Sequence, residues 1–364
     1  MDTDRMDGAA GTENPVPSAV EKIEEEDGVD IDGEMAKRAN GYRDIYVEAK
    51  ARGDALSEGD IEAMVERLRP FGDPAVAPHC DMIYHETFER FLQQAAEGVN
   101  GEGVYYSVNS RGNLTRTHLL AQGAVLYGTA SSIGWDDAMH PTAATTEHFV
   151  AEKWRYTEKG YFVYETNDPL LPYSMLRVRP LGEDNRTLWN RYIRPIGYHG
   201  NNFFLVDWDQ SDLTGWALND LYEYLYAMEY GRPLELDDSV QSIEGDAFAP
   251  LYAKYLGAEE ESLRRLAIYE EREDAYFWNA LSCRHYNLMP IPEAEVVDSW
   301  QNEDGSLTMV VDAVEASQGT DRLFTHEVTV RVRDDGSFQY LSNALRVEDE
   351  NRVPRYTPRS QPYY

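Results

Sequence analysis

Residues 295–345 contain four β-rich runs, EVVDSW, SLTMVVDAV, LFTHEVTVRV and SFQYLSNAL. Glu303-Asp304-Gly305 separates the first two and Asp334-Asp335-Gly336 the last two. Branched and aromatic side chains fit the pleated surface of a strand. An acid followed by glycine supplies the short hydrogen-bonding side chain and the positive φ of a tight reversal. Strands joined by turns this short lie antiparallel to their neighbours, so the last third of the chain is expected to be a β-meander.

The same signature occurs earlier. From Gly103 the stretch VYYSVNSRGNLTRTHLLAQGAVLYGTASSI holds three short strand-like runs, parted by Arg111-Gly112-Asn113 and Gln122-Gly123. Strand tendency resumes at His148 and passes through EKWRYTEKGYFVYE (152–165), where Glu158-Lys159-Gly160 provides a hairpin turn. Trp154, Tyr156, Tyr161 and Tyr164 each combine a flat apolar body with a polar edge, which suits a sugar platform or a half-exposed sheet. A further strand, SMLRVRPL, follows in register, so packing across strands is the simpler role.

Helical spacing marks the intervening segments. Helices are expected over 35–52, after a capping-box-like Ser57-Glu58-Gly59-Asp60, over 81–97, within EDNRTLWNRYIRP, and over 216–230, 246–256 and 259–272. NNFFLVDW (201–208) is expected to be a buried strand or extended segment. Helices, sheet, helices, sheet in that order indicate an α+β fold: mainly antiparallel sheets with helices packed on one side, closing on the β-meander. Residues 1–35 hold twelve Asp and Glu against two basic residues and no aromatic side chain, the composition of a solvated acidic tether. Beyond it, 36–240 and 241–347 are expected as two folded segments or one domain, with 348–364 a polar tail.

Charge and motifs narrow the chemistry. With 66 acidic and 33 basic residues the formal charge is -33, a field that repels phosphate backbones and anionic lipid surfaces, so no nucleic-acid partner is expected. There is no run of 18 apolar residues to span a membrane. No Walker A or GxGxxG motif is present, since GTASSIG at 128–134 lacks the lysine, and no cofactor is expected. Cys80 and Cys283 lack zinc-ligand spacing; they would form one disulfide in an exported protein or stay as two buried thiols. His79 and His285, close to those cysteines, read as ordinary packed or surface residues. DWDQSD places Asp207, Asp209 and Asp212 at near-alternate positions, but the calcium-loop glycine and glutamate are replaced by Asp212 and Leu218. No metal is expected there, and these acids read as caps for the helix that follows. No GxSxG elbow occurs, and among 66 acids no carboxylate pair can be nominated from spacing.

The strand SMLRVRPL, the stretch EDNRTLWNRYIRPIGYHGNNFFLVDW, and the closing NEDGSLTMVVDAV and FTHEVTVRVRDDGSFQYLSN resemble an uncharacterised family of bacterial lipoprotein-like cell-surface proteins, known only as a domain of unknown function, over roughly residues 40–347. The resemblance implies an extracellular or cell-surface location, with a precursor lipid anchor whose acceptor cysteine is absent from this sequence. It implies no catalytic residues. The resulting expectation is an exported or surface-tethered binding module for a glycan, peptide or envelope protein, leaning away from an enzyme. Its ligand contacts would come from His199, Asn201, Asn202, Asp207 and Trp208, on a loop that Gly200 frees. A carboxylate-based glycoside or cell-wall hydrolase and a protein-interaction subunit are the alternatives.

Overall fold

The computed structural model describes residues 30–53, 55–235, 240–279 and 292–359. The chain forms two compact units. The first holds the chain up to Asn167 and again Met175–Pro180; the second holds Asp168–Ser174 and everything from Leu181. The expected division between residues 240 and 241 lies inside the second unit.

In the first unit, α1 (Ile31–Asn40) and α2 (Arg43–Arg52) share the span expected as one helix. The first begins inside the stretch expected as tether, because the Asp30 side chain accepts the Gly33 amide at 3.0 Å and caps it. Helix α3 (Glu58–Glu66) starts with the expected capping box: the Asp60 amide donates to Ser57 Oγ (3.1 Å) and the Ser57 amide to Asp60 Oδ2 (2.9 Å). There follow β1 (Ala75–Val76), α4 (His85–Ala96), β2 (Gly101–Val108), β3 (Leu114–Gln122), β4 (Val125–Ile133) and β5 (Thr145–Ala151). These strands form one sheet in chain order, with β1 parallel to β2 and every later pair antiparallel.

Strand pairing assigns each side chain to a face, because directly opposed residues point the same way and sides alternate along a strand. One face carries Leu119, Ala121, Leu126 and Ala151, which pack with Phe88, Phe91 and Leu92 of α4. Phe91 lies so close to β2 that a Cβ on Gly103 would stand 2.3 Å from its ring, and only glycine allows that approach. The other face carries Tyr106, Val108, Leu114 and Ile133 at one end, covered by Met35 and Ala39 of α1 and by Ile61, Met64 and Val65 of α3. Cys80 packs at the edge of this cluster; Cys283 and His285 lie outside the described residues.

The aromatic hairpin forms as its sequence predicts. Strands β6 (Trp154–Tyr156) and β7 (Tyr161–Glu165) pair antiparallel, with Trp154 opposite Tyr164 and Tyr156 opposite Phe162. Gly160 turns with φ 92°, and a Cβ there would meet the Arg179 Cβ at 2.3 Å. Trp154, Tyr156, Phe162 and Tyr164 share the face that packs on the α4 cluster, and Phe149 stacks on Tyr164 at 5.2 Å. These rings build a core. Strand β8 (Tyr173–Arg177) completes a three-stranded sheet with them.

The second unit contains α5 (Glu183–Leu188), which widens into a π-turn over Trp189–Ile193, then β9 (Trp208–Asp209), α6 (Leu218–Tyr230), β10 (Ser242–Glu244), α7 (Gly245–Leu256), α8 (Glu260–Leu266), β11 (Tyr269–Glu270) and β12 (Ala275–Phe277). The expected meander follows as β13 (Glu293–Gln301), β14 (Leu307–Glu315), β15 (Thr320–Val332) and β16 (Phe338–Leu345). Its sheet runs β13-β14-β15-β16-β9, antiparallel throughout, so Trp208–Asp209 closes the free side of β16. The helix expected over 259–272 stops at Leu266, because Tyr269 and Glu270 instead pair with β12. Aromatic rings dominate this core: Phe248 stacks on Tyr276 (4.0 Å), Tyr252 (4.4 Å) and Tyr222 (5.1 Å).

Candidate functional site

NNFFLVDW, expected to be extended, folds as a buried turn up to Val206, and only Trp208–Asp209 is strand. Its two asparagines explain the difference. Asn201, 1% exposed, accepts the Phe203 amide (2.9 Å) and donates to the carbonyls of Ile196 (3.2 Å) and His199 (3.1 Å). Asn202 donates to Gly215 O (2.8 Å) and accepts the Ala217 amide (2.9 Å), holding the entry to α6. Trp208 donates its indole N–H to Phe203 O (2.8 Å), and its ring meets Trp216 edge-on at 4.5 Å. Asp207 is exposed and accepts the Leu345 amide at 2.5 Å, tying the loop to the end of β16. His199, half-buried, offers its carbonyl to Tyr224 Oη and to Asn201. The five residues expected to contact ligand do gather in one loop. The polar atoms of Asn201, Asn202 and Trp208 accomplish the folding of that loop, which accounts for these residue types.

The acids of DWDQSD behave similarly. Asp209 Oδ1 accepts from Ser211 N (2.7 Å) and Oγ (2.6 Å), and Asp212 Oδ1 from Thr214 N (2.9 Å) and Oγ1 (2.6 Å). These bonds lower both carboxyl pKa values. The aspartates cap their own turns; the residue preceding α6 is Ala217, without a side-chain cap, so the helix-capping role expected for them is not theirs. Among the described residues no three His, Cys, Asp or Glu are grouped to hold a metal ion.

Two buried polar clusters of the second unit are likewise internally engaged. Arg359 donates to Glu223 Oε1 (3.0 Å), Asp220 O (2.9 Å) and Gly200 O (3.3 Å), while its amide and Tyr356 Oη donate to Asp220 Oδ2 (both 2.7 Å). His326 has Nε2 2.8 Å from Tyr198 Oη and Nδ1 2.6 Å from Asn343 Oδ1, and burial lowers its pKa to about 4, so the ring is neutral at pH 7. A recess of about 310 Å³ lies among Arg191, Pro195, Ala227, Met228, Tyr255 and Phe338. There, Arg191 donates to Gly336 O (2.5 Å) and Tyr255 Oη to Glu229 (3.0 Å).

The sheet of the first unit is different. On the face that α1 and α3 cover at one end, pairing sets Tyr106, Arg116, Ser131 and Thr146 side by side, and next to them Val104, His118, Thr129 and His148. Ser131 Oγ lies 3.0 Å from Thr146 Oγ1, Thr129 Oγ1 lies 3.1 Å from His148 Nδ1, and His118 Nε2 lies 3.2 Å from Glu102 Oε2. Arg116 is 7% exposed, yet among the described residues its Nε and Nη1 have no hydrogen-bond partner, and neither has Nδ1 of His118, 8% exposed. Arg116 forms no ion pair among the described residues. The acids nearby are taken: Glu34 and Asp73 bind Arg38 (2.9 and 2.5 Å), whose guanidinium lies 4.5 Å from the Tyr106 ring, and Glu102 holds His118. An unpaired buried cation costs several kcal/mol. In the sequence, Arg116 and His118 are marked only as an Arg-x-His pair on the middle strand of an expected meander, facing Ser and Thr on the next.

A family of unknown function (DUF6070) matches over residues 29–359. The chain belongs to that family. No curated protein and no solved structure matches. In this DUF6070 protein the buried polar face of the first sheet is the candidate site. Among the described residues no helix is long and apolar enough to cross a membrane.

Proposed function

We propose that this DUF6070 protein is an exported or surface-tethered module that binds a ligand without transforming it, and that the ligand lies on the polar face of the first unit's sheet. One observation carries the reading: Arg116 and His118, neighbours on β3, are both more than nine-tenths buried and both keep nitrogen atoms without partners. Folded proteins give nearly all such atoms a partner, from the protein or from ordered water, and an exception calls for an explanation such as a bound ligand. The hydroxyl groups of Thr129, Ser131 and Thr146 add polar atoms beside them. The acidic composition of residues 1–35, that of a solvated tether, supports the location.

The test is a panel of neutral and acidic glycans and peptides passed over the immobilised full chain, with the eluted material examined for chemical change. A ligand retained and recovered intact is expected, and surface labelling of intact producing cells should reach the protein. Turnover of a panel member, abolished by loss of one acidic side chain at an unchanged melting temperature, would overturn the reading in favour of a hydrolase. Labelling seen only after lysis would overturn the location.

A further inference from the structure

We infer that the group recognised at Arg116 and His118 is a hydroxylated carboxylate, of the chemical class of a sugar acid. This deepens the binding-module reading and rests on it. The inference follows from what each orphan atom requires. A guanidinium can only donate, and it remains charged at any physiological pH, so Arg116 Nε and Nη1 call for an anionic oxygen. A carboxylate is the compact anion favoured here: the net charge of -33 opposes ligands bearing several negative charges.

His118 requires something else. Its Nε2 faces the Glu102 carboxylate at 3.2 Å, and a carboxylate only accepts, so Nε2 carries the proton and donates it. In the neutral ring Nδ1 then holds a lone pair, and this buried acceptor asks for a donor. Arg116 and His118 stand two residues apart on one face of β3, roughly 7 Å between backbone positions at strand rise. A ligand spanning them presents a carboxylate at one end and a hydroxyl at the other. Beside them, Ser131 Oγ and Thr129 Oγ1, bonded to Thr146 and His148, retain further hydrogen-bonding capacity for ring hydroxyls.

The experiment uses the full chain, with thermal unfolding and calorimetric titration at constant ionic strength, so that general screening of the protein's charge cannot masquerade as binding. The probes are glucuronate, acetate, glucose and sulfate. Glucuronate is expected to bind most tightly, acetate and sulfate more weakly, and glucose not measurably. Arg116→Gln should weaken glucuronate and acetate alike, by about 10- to 100-fold, the range for loss of a charge-assisted hydrogen bond. His118→Ala should leave acetate unchanged and bring glucuronate down to the acetate level. Because Arg116→Gln could also unfold the sheet, Arg116→Met serves as a second variant: without ligand it should melt at or above the parent temperature and show no glucuronate response.

No response to glucuronate overturns the assignment, as does a glucuronate response that persists in Arg116→Met, or acetate and glucuronate falling together in His118→Ala. A different panel ligand whose binding ignores Arg116→Gln overturns this assignment while leaving the binding-module reading standing. Turnover would overturn that reading itself.

Discussion

Arg116 in the first unit and Arg359 in the second are equally buried, each 7% exposed. Arg359 is surrounded by Asp220, Glu223, Tyr356 and two backbone carbonyls, whereas two nitrogens of Arg116 have no partner. The histidines repeat the contrast. His326 has both ring nitrogens engaged, and His118 has one. Burial alone therefore does not distinguish Arg116 from Arg359; saturation of their hydrogen bonds does. The second unit also has buried atoms without partners, such as the indole nitrogens of Trp216 and Trp278. Those are single neutral donors, and Glu315, which leaves Oε2 without a partner, has its other carboxylate oxygen accepting from Ser317, whereas in the first unit a cation and an imidazole two residues apart on one strand both keep nitrogens without partners.

Removing the paired arginine is the strongest test of this contrast. Arg359→Met leaves the buried carboxylates of Asp220 and Glu223 without their cation and should lower unfolding free energy by about 3–5 kcal/mol, read from urea titrations. In Arg116→Met the expected sign is reversed: no carboxylate loses a partner, and an unpaired charge leaves the interior. If both variants destabilised by the same amount, the two arginines would be doing the same work.

The paired histidine gives a pH signature. With its folded pKa at about 4 against an ordinary value of 6.5, His326 takes up a proton more readily in the unfolded chain. Its stabilising contribution is complete above pH 6.5 and is lost as pH falls toward 4. The full difference corresponds to about 3 kcal/mol. Comparing urea unfolding of the parent and His326→Gln at pH 7 and pH 4.5 isolates this residue from the titration of the many carboxyl groups. The parent should lose more stability than the variant between those two values. Equal losses would mean that the imidazole does not titrate in this window.

A third test concerns the loop whose residues looked ligand-like. Asn202→Ala removes one donor and one acceptor that hold Gly215 O and the Ala217 amide, and should cost about 1–3 kcal/mol. A variant that kept its stability and lost a ligand would return the loop to a binding role.

That loop also marks how far the sequence could be read. Local signals were legible: the capping box at Ser57, the turns at Gly160, Gly305 and Gly336, and both meanders depend on residues a few positions apart. NNFFLVDW was misread because its apolar run looks like a strand, while the asparagine amides that bend it act on backbone groups up to 15 residues away. Arg359 sits in a segment that reads as a polar tail, and its partners Asp220 and Glu223 lie 139 and 136 positions earlier, a distance no periodicity spans. The Arg116 and His118 pair was visible as letters. Its significance needed the register, which shows that no acid stands opposite Arg116 on either neighbouring strand.

The smallest expected effect examines the one partner His118 does have. The Glu102 side chain is 70% exposed, so its contact with the imidazole is an exposed pair, and Glu102→Gln should change stability by less than about 1 kcal/mol. Its consequence for recognition should be larger than for folding. A carboxylate accepts only, which fixes the proton on Nε2, whereas a carboxamide can turn either its oxygen or its NH₂ toward the ring and accommodates both tautomers. Nδ1 would then no longer be held as an acceptor, and the preference of the full chain for glucuronate over acetate should shrink several-fold while acetate affinity, set by Arg116, stays put. Calorimetric titration of both ligands into this variant reads the ratio directly. An unchanged ratio would mean that Glu102 does not set the tautomer, and would leave the carboxylate half of the site to stand on Arg116 alone.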